Sequence, residues 1–176
     1  MSITLLLTGC MTSASFVVDD TTATMTGVIN GRTPDRVATL IEDHPEVTTI
    51  SMLYVPGSMN DESNLEAARL IREAGLSTHV PDDGEIASGG VDFFCAGVTR
   101  TAEGGALFGV HSWAAGGGLE GGDLPTDDPQ HSLYLDFYNE MGIPSEFYWF
   151  TLEAASADSI HWMARDELDD YGLLTD

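Results

Sequence analysis

Short β-rich stretches alternate with amphipathic ones along this chain. "SASFVVDDTTATMTGVI" alternates in hydropathy, is rich in β-branched residues and carries Asp19-Asp20 near its middle, which predicts two short strands joined by a turn. In "GRTPDRVATLIEDHP" the period changes: Val37, Leu40 and Ile41 fall on one helical face, Thr33 is placed to cap with Pro34 at the first helical position, and Pro45 ends the run. "VTTISMLYV" is a near-continuous β-rich run, as expected of a strand buried on both faces, and it stops at Pro56-Gly57-Ser58. A second helix is expected from Asp61 to Ala74, with Leu65, Ala68 and Ile71 inward and Gly75 as its C-cap. "LSTHVP" and "ALFGVHSW" read as strands, with a helix between them from Ser88 to Ala96 that Gly97 stops. Residues 114–130 form a polar, glycine-rich loop of a length that suits a lid or a binding edge. Two helices follow, split by Gly142-Ile143-Pro144, and then a short structured tail. Strands alternating with helices imply an α/β fold with largely parallel pairing.

Composition narrows the function. The 176 residues suit one domain, and a hydrophobic fraction of 43% suffices for a packed core. Twenty-nine acidic residues face six cations, for a net charge of −23. That balance argues against nucleic acid and against an anionic membrane surface, since both are recognised through a basic face. Every cation is an arginine, so the chain has no lysine. A nucleophilic serine would then take its base from His44, His79, His111, His131 or His161. The five histidines are scattered singly, without metal-ligand spacing, and neither a metal nor a cofactor is expected.

Two cysteines do not make a disulfide framework; Cys95 lies in an apolar run and reads as a small buried residue. Cys10 closes "LLLTGC", which resembles the lipobox of bacterial lipoproteins, although the preceding segment is short and lacks a basic region. Either the start is truncated or the match is accidental. The first reading makes residues 1–12 a leader remnant ahead of one α/β domain at 13–176, with Cys10 a lipidated membrane tether in the periplasm. The second makes the protein cytoplasmic.

The stretch "EIASGGVDFFCAG" places Ser88 just after a turn and at the start of a helix. Two readings stand side by side. Serine is a preferred N-cap. A serine at such a helix start can also be a nucleophile whose oxyanion meets the Gly89 N–H, with Gly89 and Gly90 leaving room for a substrate backbone. His111, at a strand end beside the glycine-rich loop, is placed to be either a base or a structural histidine. Gly57 can present its N–H at the carboxyl end of the sheet, or simply complete a Pro-Gly turn.

Taken together, Ala87-Ser88-Gly89, Phe94-Cys95-Ala96-Gly97, Gly109-Val110-His111, "LYVPGS" and the ending "DELDDYGLLTD" resemble the Clp protease proteolytic subunit of the crotonase-like superfamily. Exported bacterial relatives of that subunit are more similar still. The motifs occur in the right order over residues 27–175, and Ser88 and His111 stand 23 residues apart, close to the family spacing. The resemblance implies a Clp/crotonase-like ββα spiral with a mostly parallel sheet flanked by helices. It also implies a serine hydrolase or peptidase with Ser88 as nucleophile, His111 as base and Gly57 and Gly89 as oxyanion donors. The third member falls on Asp158 only with a two-residue shift, and Asp136 is an alternative acid. Ser58 stands where the family has a second glycine, and nothing resembles the loops that dock an unfoldase. The expected partner is a peptide or protein substrate, with assembly into a homo-oligomer left open. Two further readings are carried along: a non-catalytic binding protein of the same fold, and an acyl-CoA enzyme of the crotonase class. The absent lysines and scarce arginines, which leave little to meet CoA phosphates, argue against the latter.

Overall fold

A computed structural model describes residues 12–175; Cys10 lies outside the described residues. The chain opens with a hairpin, β1 (Ser15–Asp19) and β2 (Thr22–Thr26), turning at Asp20, whose φ is 52°. Helix α1 (Thr33–Asp43) follows, burying Val37 and Leu40. Thr33 is its first residue rather than its cap: the hydroxyl accepts the Asn30 N–H at 3.0 Å and closes the preceding turn. Then come β3 (Thr49–Val55), α2 (Asp61–Glu73), β4 (Ser77–Val80), β5 (Glu85–Ala87), α3 (Gly89–Cys95), β6 (Arg100–Ala102) and β7 (Leu107–Val110). Gly75, with φ 73°, takes the left-handed step just beyond the Ala74 C-cap of α2.

Pairing between the central strands is parallel, with antiparallel strands only at the two ends of the main path. Strand β3 forks. Its first half, Thr49–Ser51, pairs with β4, and its last residues, Tyr54–Val55, pair with β5. Each later ββα turn adds one strand to each branch: β6 beside β4, and β7 beside β5. Short strands split between two branches, with a helix closing each turn, are the ββα spiral. β3 alternates buried with partly buried positions and leaves Tyr54 exposed, so it is not sealed on both faces.

The glycine-rich stretch after β7 is structured. A small hairpin, β8 (Ala114–Gly116) and β9 (Leu119–Glu120), turns on Gly117 and Gly118, whose φ values of 61° and 83° suit a tight hairpin. Two single turns of 3-10 helix lead into α4 (Ser132–Met141) and α5 (Ser145–Ala154). The chain then lays β10 (His161–Trp162) antiparallel on β7 and ends in α6 (Arg165–Asp170). One continuous core joins the sheet, α1, α2 and α3 to the aromatic faces of α4 and α5. Among the described residues, no helix is long and apolar enough to cross a membrane.

Candidate active site

Three adjacent parallel strands, β3, β5 and β7, end on the same side of the sheet, and each delivers one candidate residue there. Gly57 follows β3, Ser88 follows β5 and His111 follows β7. In α/β sheets, the carboxyl ends of parallel strands are where ligands bind.

Ser88 stands at the N-cap position of α3, yet its side chain makes no capping hydrogen bond. Its backbone is at φ 51° and ψ −129°, a conformation costly for a residue with a Cβ. The Ser88 N–H is tied to the Gly109 carbonyl at 2.8 Å, and its own carbonyl accepts from Val91 at 2.7 Å. These bonds fix the backbone at Ser88, and its hydroxyl has no partner among the described residues.

Glycine is required on both sides of it. Gly57 has φ 142°, and a Cβ there would lie 3.3 Å from the Ser88 Cβ. A Cβ on Gly89 would come within 2.5 Å of Ser58 Oγ, and one on Gly90 within 2.5 Å of the Val55 carbonyl oxygen. The Gly57 carbonyl is engaged by the Ile29 N–H at 3.0 Å, but among the described residues neither the Gly57 nor the Gly89 N–H has an acceptor. Ser58 has a job of its own, donating to Asp61 Oδ1 at 2.7 Å. Buried Asn64 donates to the Gly89 carbonyl at 2.9 Å, which fixes that peptide against α2.

His111 is partly buried, with Nδ1 2.7 Å from the Ser112 carbonyl oxygen. A carbonyl only accepts, so Nδ1 carries the hydrogen and the neutral ring keeps its lone pair on Nε2. Among the described residues, no carboxylate oxygen lies within 4.0 Å of a His111 ring nitrogen. Asp158 is exposed and accepts from Ser156 Oγ at 2.7 Å; Asp136 is exposed on α4. The structure therefore brings Gly57, Ser88, Gly89 and His111 to one place and brings neither acid to His111. The orienting acceptor at Nδ1 is a main-chain carbonyl. Of the other histidines, His44 faces Glu46, His79 bonds Thr101, and His161 meets Glu167. Among the described residues, no cluster of three potential ligands could hold a metal ion.

Ser88, Gly89 and His111 line a cavity of about 40 Å³. Its walls are Val91, Val110 and Thr151 together with an aromatic group that sequence reasoning missed, Trp113, Tyr134, Tyr138 and Tyr148. Trp113 and Tyr134 stack at 5.7 Å, and Tyr134 and Tyr148 at 5.5 Å. Trp113 Nε1–H donates to the Tyr148 hydroxyl, which lies 2.7 Å from Nδ1 of buried His131. The His131 Nε2 sits 3.0 Å from the Pro125 carbonyl, so Nε2 carries the hydrogen and Nδ1 accepts from Tyr148. That chain of bonds ties the glycine-rich stretch to α5 and holds Trp113 in the cavity wall.

Two carboxylates also line the cavity. Asp61 has both oxygens engaged, Oδ1 by Ser58 and Oδ2 by the Tyr134 hydroxyl at 2.7 Å. Asp92, on α3 one turn beyond Ser88, accepts a short hydrogen bond from Tyr138 at Oδ1. Burial pushes the Asp92 carboxyl up to about 7, the Tyr138 bond working against the rise and the charge of Asp61 adding to it. Burial likewise pushes the Tyr148 hydroxyl up to about 12 and raises those of Tyr134 and Tyr138, so all three remain donors at neutral pH. A signal for these residues exists in the sequence. Asp92 is the one charged residue of the apolar run "VDFFCAG", and Tyr134, Phe137, Tyr138 and Met141 recur at helical spacing.

No protein-family model matches the chain, and no curated protein matches it in sequence. Solved structures do match in shape. A membrane-bound stomatin-specific protease, solved as a serine-to-alanine mutant, superposes with a TM-score of 0.58 at 12% identity, over 87% of this chain and 76% of that one. An enoyl-CoA hydratase from Polaromonas sp. gives 0.53 at 12% identity, over 93% of this chain and 69% of that one. A second, from Mycobacterium avium subsp. paratuberculosis, gives 0.53 at 14% identity, over 92% and 69%. The fold is crotonase- and Clp-like. At such identities the likeness speaks of fold alone, and this one fold serves both proteolysis and acyl-CoA chemistry among those structures.

Proposed function

We propose that the protein is a serine hydrolase acting on peptide bonds, with Ser88 as nucleophile and His111 as base. The observation that carries this reading is the Ser88 backbone, held at positive φ with an uncapped hydroxyl at the cavity that His111 also lines. Strain of this kind persists only where surrounding structure imposes it, and it is concentrated at functional sites. Ser88 Oγ attacks the substrate carbonyl carbon while its proton passes to His111 Nε2. The oxyanion is received by the unpaired Gly57 and Gly89 amides. Collapse breaks the scissile bond, His111 protonates the leaving amine, and water then repeats the sequence to release the acid and restore Ser88. The Ser112 carbonyl holds the ring tautomer but offers the imidazolium less stabilisation than a carboxylate would, so turnover is expected to be slow.

A fluorophosphonate probe tests this. Labelling of Ser88 in the folded protein, lost in Ser88→Ala and strongly reduced in His111→Ala, is the expected result. Absence of labelling in folded wild-type protein overturns it. One observation favours a second reading, a peptide-binding protein of the same fold: no acid stands behind His111 among the described residues. That protein would bind peptide at this cavity and ignore the probe.

A further inference from the structure

We infer that the cavity beside Ser88 is a subsite for a primary ammonium, delivered as the lysine side chain of a peptide bound at Ser88. The inference rests on the serine hydrolase reading for its substrate but on separate residues for its chemistry.

The two carboxylates that line the cavity differ in what they have left to offer. Asp61 is saturated by Ser58 and Tyr134. Asp92 has only Oδ1 engaged, by Tyr138, and Oδ2 has no hydrogen-bond partner among the described residues. Asp92 is partly buried and lines the cavity. Thr151 lines the same space; its hydroxyl donates to the Tyr148 carbonyl at 2.8 Å and keeps its lone pairs free. Asp92 and Thr151 thus offer acceptors to the chamber that Ser88 and His111 also line, and among the described residues that lining holds no arginine.

The side chain that fits this chamber can be reasoned out by elimination. An apolar side chain would strip water from Asp92 Oδ2 and give nothing back, at a cost of about 1–3 kcal/mol. An acidic one would meet two carboxylates. An ammonium group is the size of a water and carries three donors. It would find acceptors in Asp92 Oδ2 and Thr151 Oγ1. The net charge of −23 favours the approach of a basic peptide. Burial raises the Asp92 carboxyl, and a bound positive charge would favour its ionised form.

The test has two arms. In the first, thioesters with Lys, Arg, Leu or Glu on the acyl side of the scissile bond are compared in wild type and Asp92→Asn, a variant in which the amide oxygen still accepts from Tyr138. The lysine ester is expected to exceed the leucine ester about tenfold or more in kcat/KM, and the preference to vanish in Asp92→Asn. In the second, n-butylammonium is expected to raise Tm of the wild type, with n-butanol and Asp92→Asn as controls that show no rise. This arm needs no turnover. Hydrolysis that is indifferent to lysine, or favours leucine, overturns the inference, as does an equal effect of butylammonium on both proteins. A butylammonium shift confined to wild type, without probe labelling or ester hydrolysis, retains the ammonium subsite and overturns only the hydrolase reading.

Discussion

Helices α2 and α3 each follow a strand of the sheet, and they begin differently. Helix α2 starts behind Asn60, at φ −153° and ψ 108°, whose side chain accepts the Ser63 N–H at 2.8 Å. Helix α3 starts behind Ser88, whose side chain caps nothing and whose φ is positive. Both residues are good caps by type. Only one does that work. The difference extends into the first turns: Asp61 of α2 has both oxygens paired, and Asp92 of α3 keeps one free. A helix start that serves stability satisfies its own polar groups, whereas the one at Ser88 leaves them available to a ligand.

The sharpest way to break this comparison is Ser88→Ala. It should lower hydrolysis by a factor on the order of 10³ or more while shifting unfolding free energy by less than about 0.5 kcal/mol, read from ester turnover and urea denaturation. A loss of stability like that of a lost cap would make Ser88 an ordinary helix start. Next is Asp92→Asn. The folded-state value near 7 lies above the ordinary carboxyl value of 3.8, so Asp92 favours folding most at low pH and that contribution is lost as pH rises through 7. The variant does not titrate, so its stability relative to wild type should improve by about 2–3 kcal/mol between pH 5 and pH 8, measured by denaturation at each pH. A pH-independent difference would show that Asp92 is not desolvated. Gly57→Ala, at φ 142° and in contact with Ser88, should cost about 1–3 kcal/mol and slow probe labelling together. At the small end, Asn60→Ala should cost about 1 kcal/mol and leave labelling unchanged, while Ser88→Gly should gain about 0.5–1 kcal/mol by removing strain.

The periodic parts of the chain were readable. The turn at Asp19-Asp20, helices α1, α2, α4 and α5, and strands β3 and β7 all stand where hydropathy put them, because long amphipathic patterns leave little choice of face. β5, β6 and β10 are two or three residues long, too short to show any period; they are strands because neighbours pair with them. The site divides the same way. Gly57 and His111 were legible as strand-end residues and Ser88 as a helix start, because turn chemistry is local. What Ser88 does at its helix start was not legible, since cap and nucleophile call for the same residue type. The cavity wall was hidden too. Tyr134, Tyr138 and Tyr148 look like core residues in helices, and only the packing of α4 and α5 over α3 turns them toward Ser88. The acceptor at His111 Nδ1 is the backbone of the next residue, Ser112, which no side-chain pattern can announce.

The forked β3 has one more consequence. Gly57, Ser88 and His111 are held in line by strand pairing at the carboxyl ends of β3, β5 and β7, while among the described residues the turn that leads into the other end of β7 makes no backbone hydrogen bond to them. Gly104 and Gly105, in the turn before β7, are exposed, and a Cβ on Gly104 would meet nothing within 4 Å. The chain could be opened there, or a guest sequence spliced in, with the three strand ends still fixed by their neighbours. The half carrying Ser88 and the half carrying His111 would then be separate pieces of one sheet, and their reassembly would itself report on the architecture.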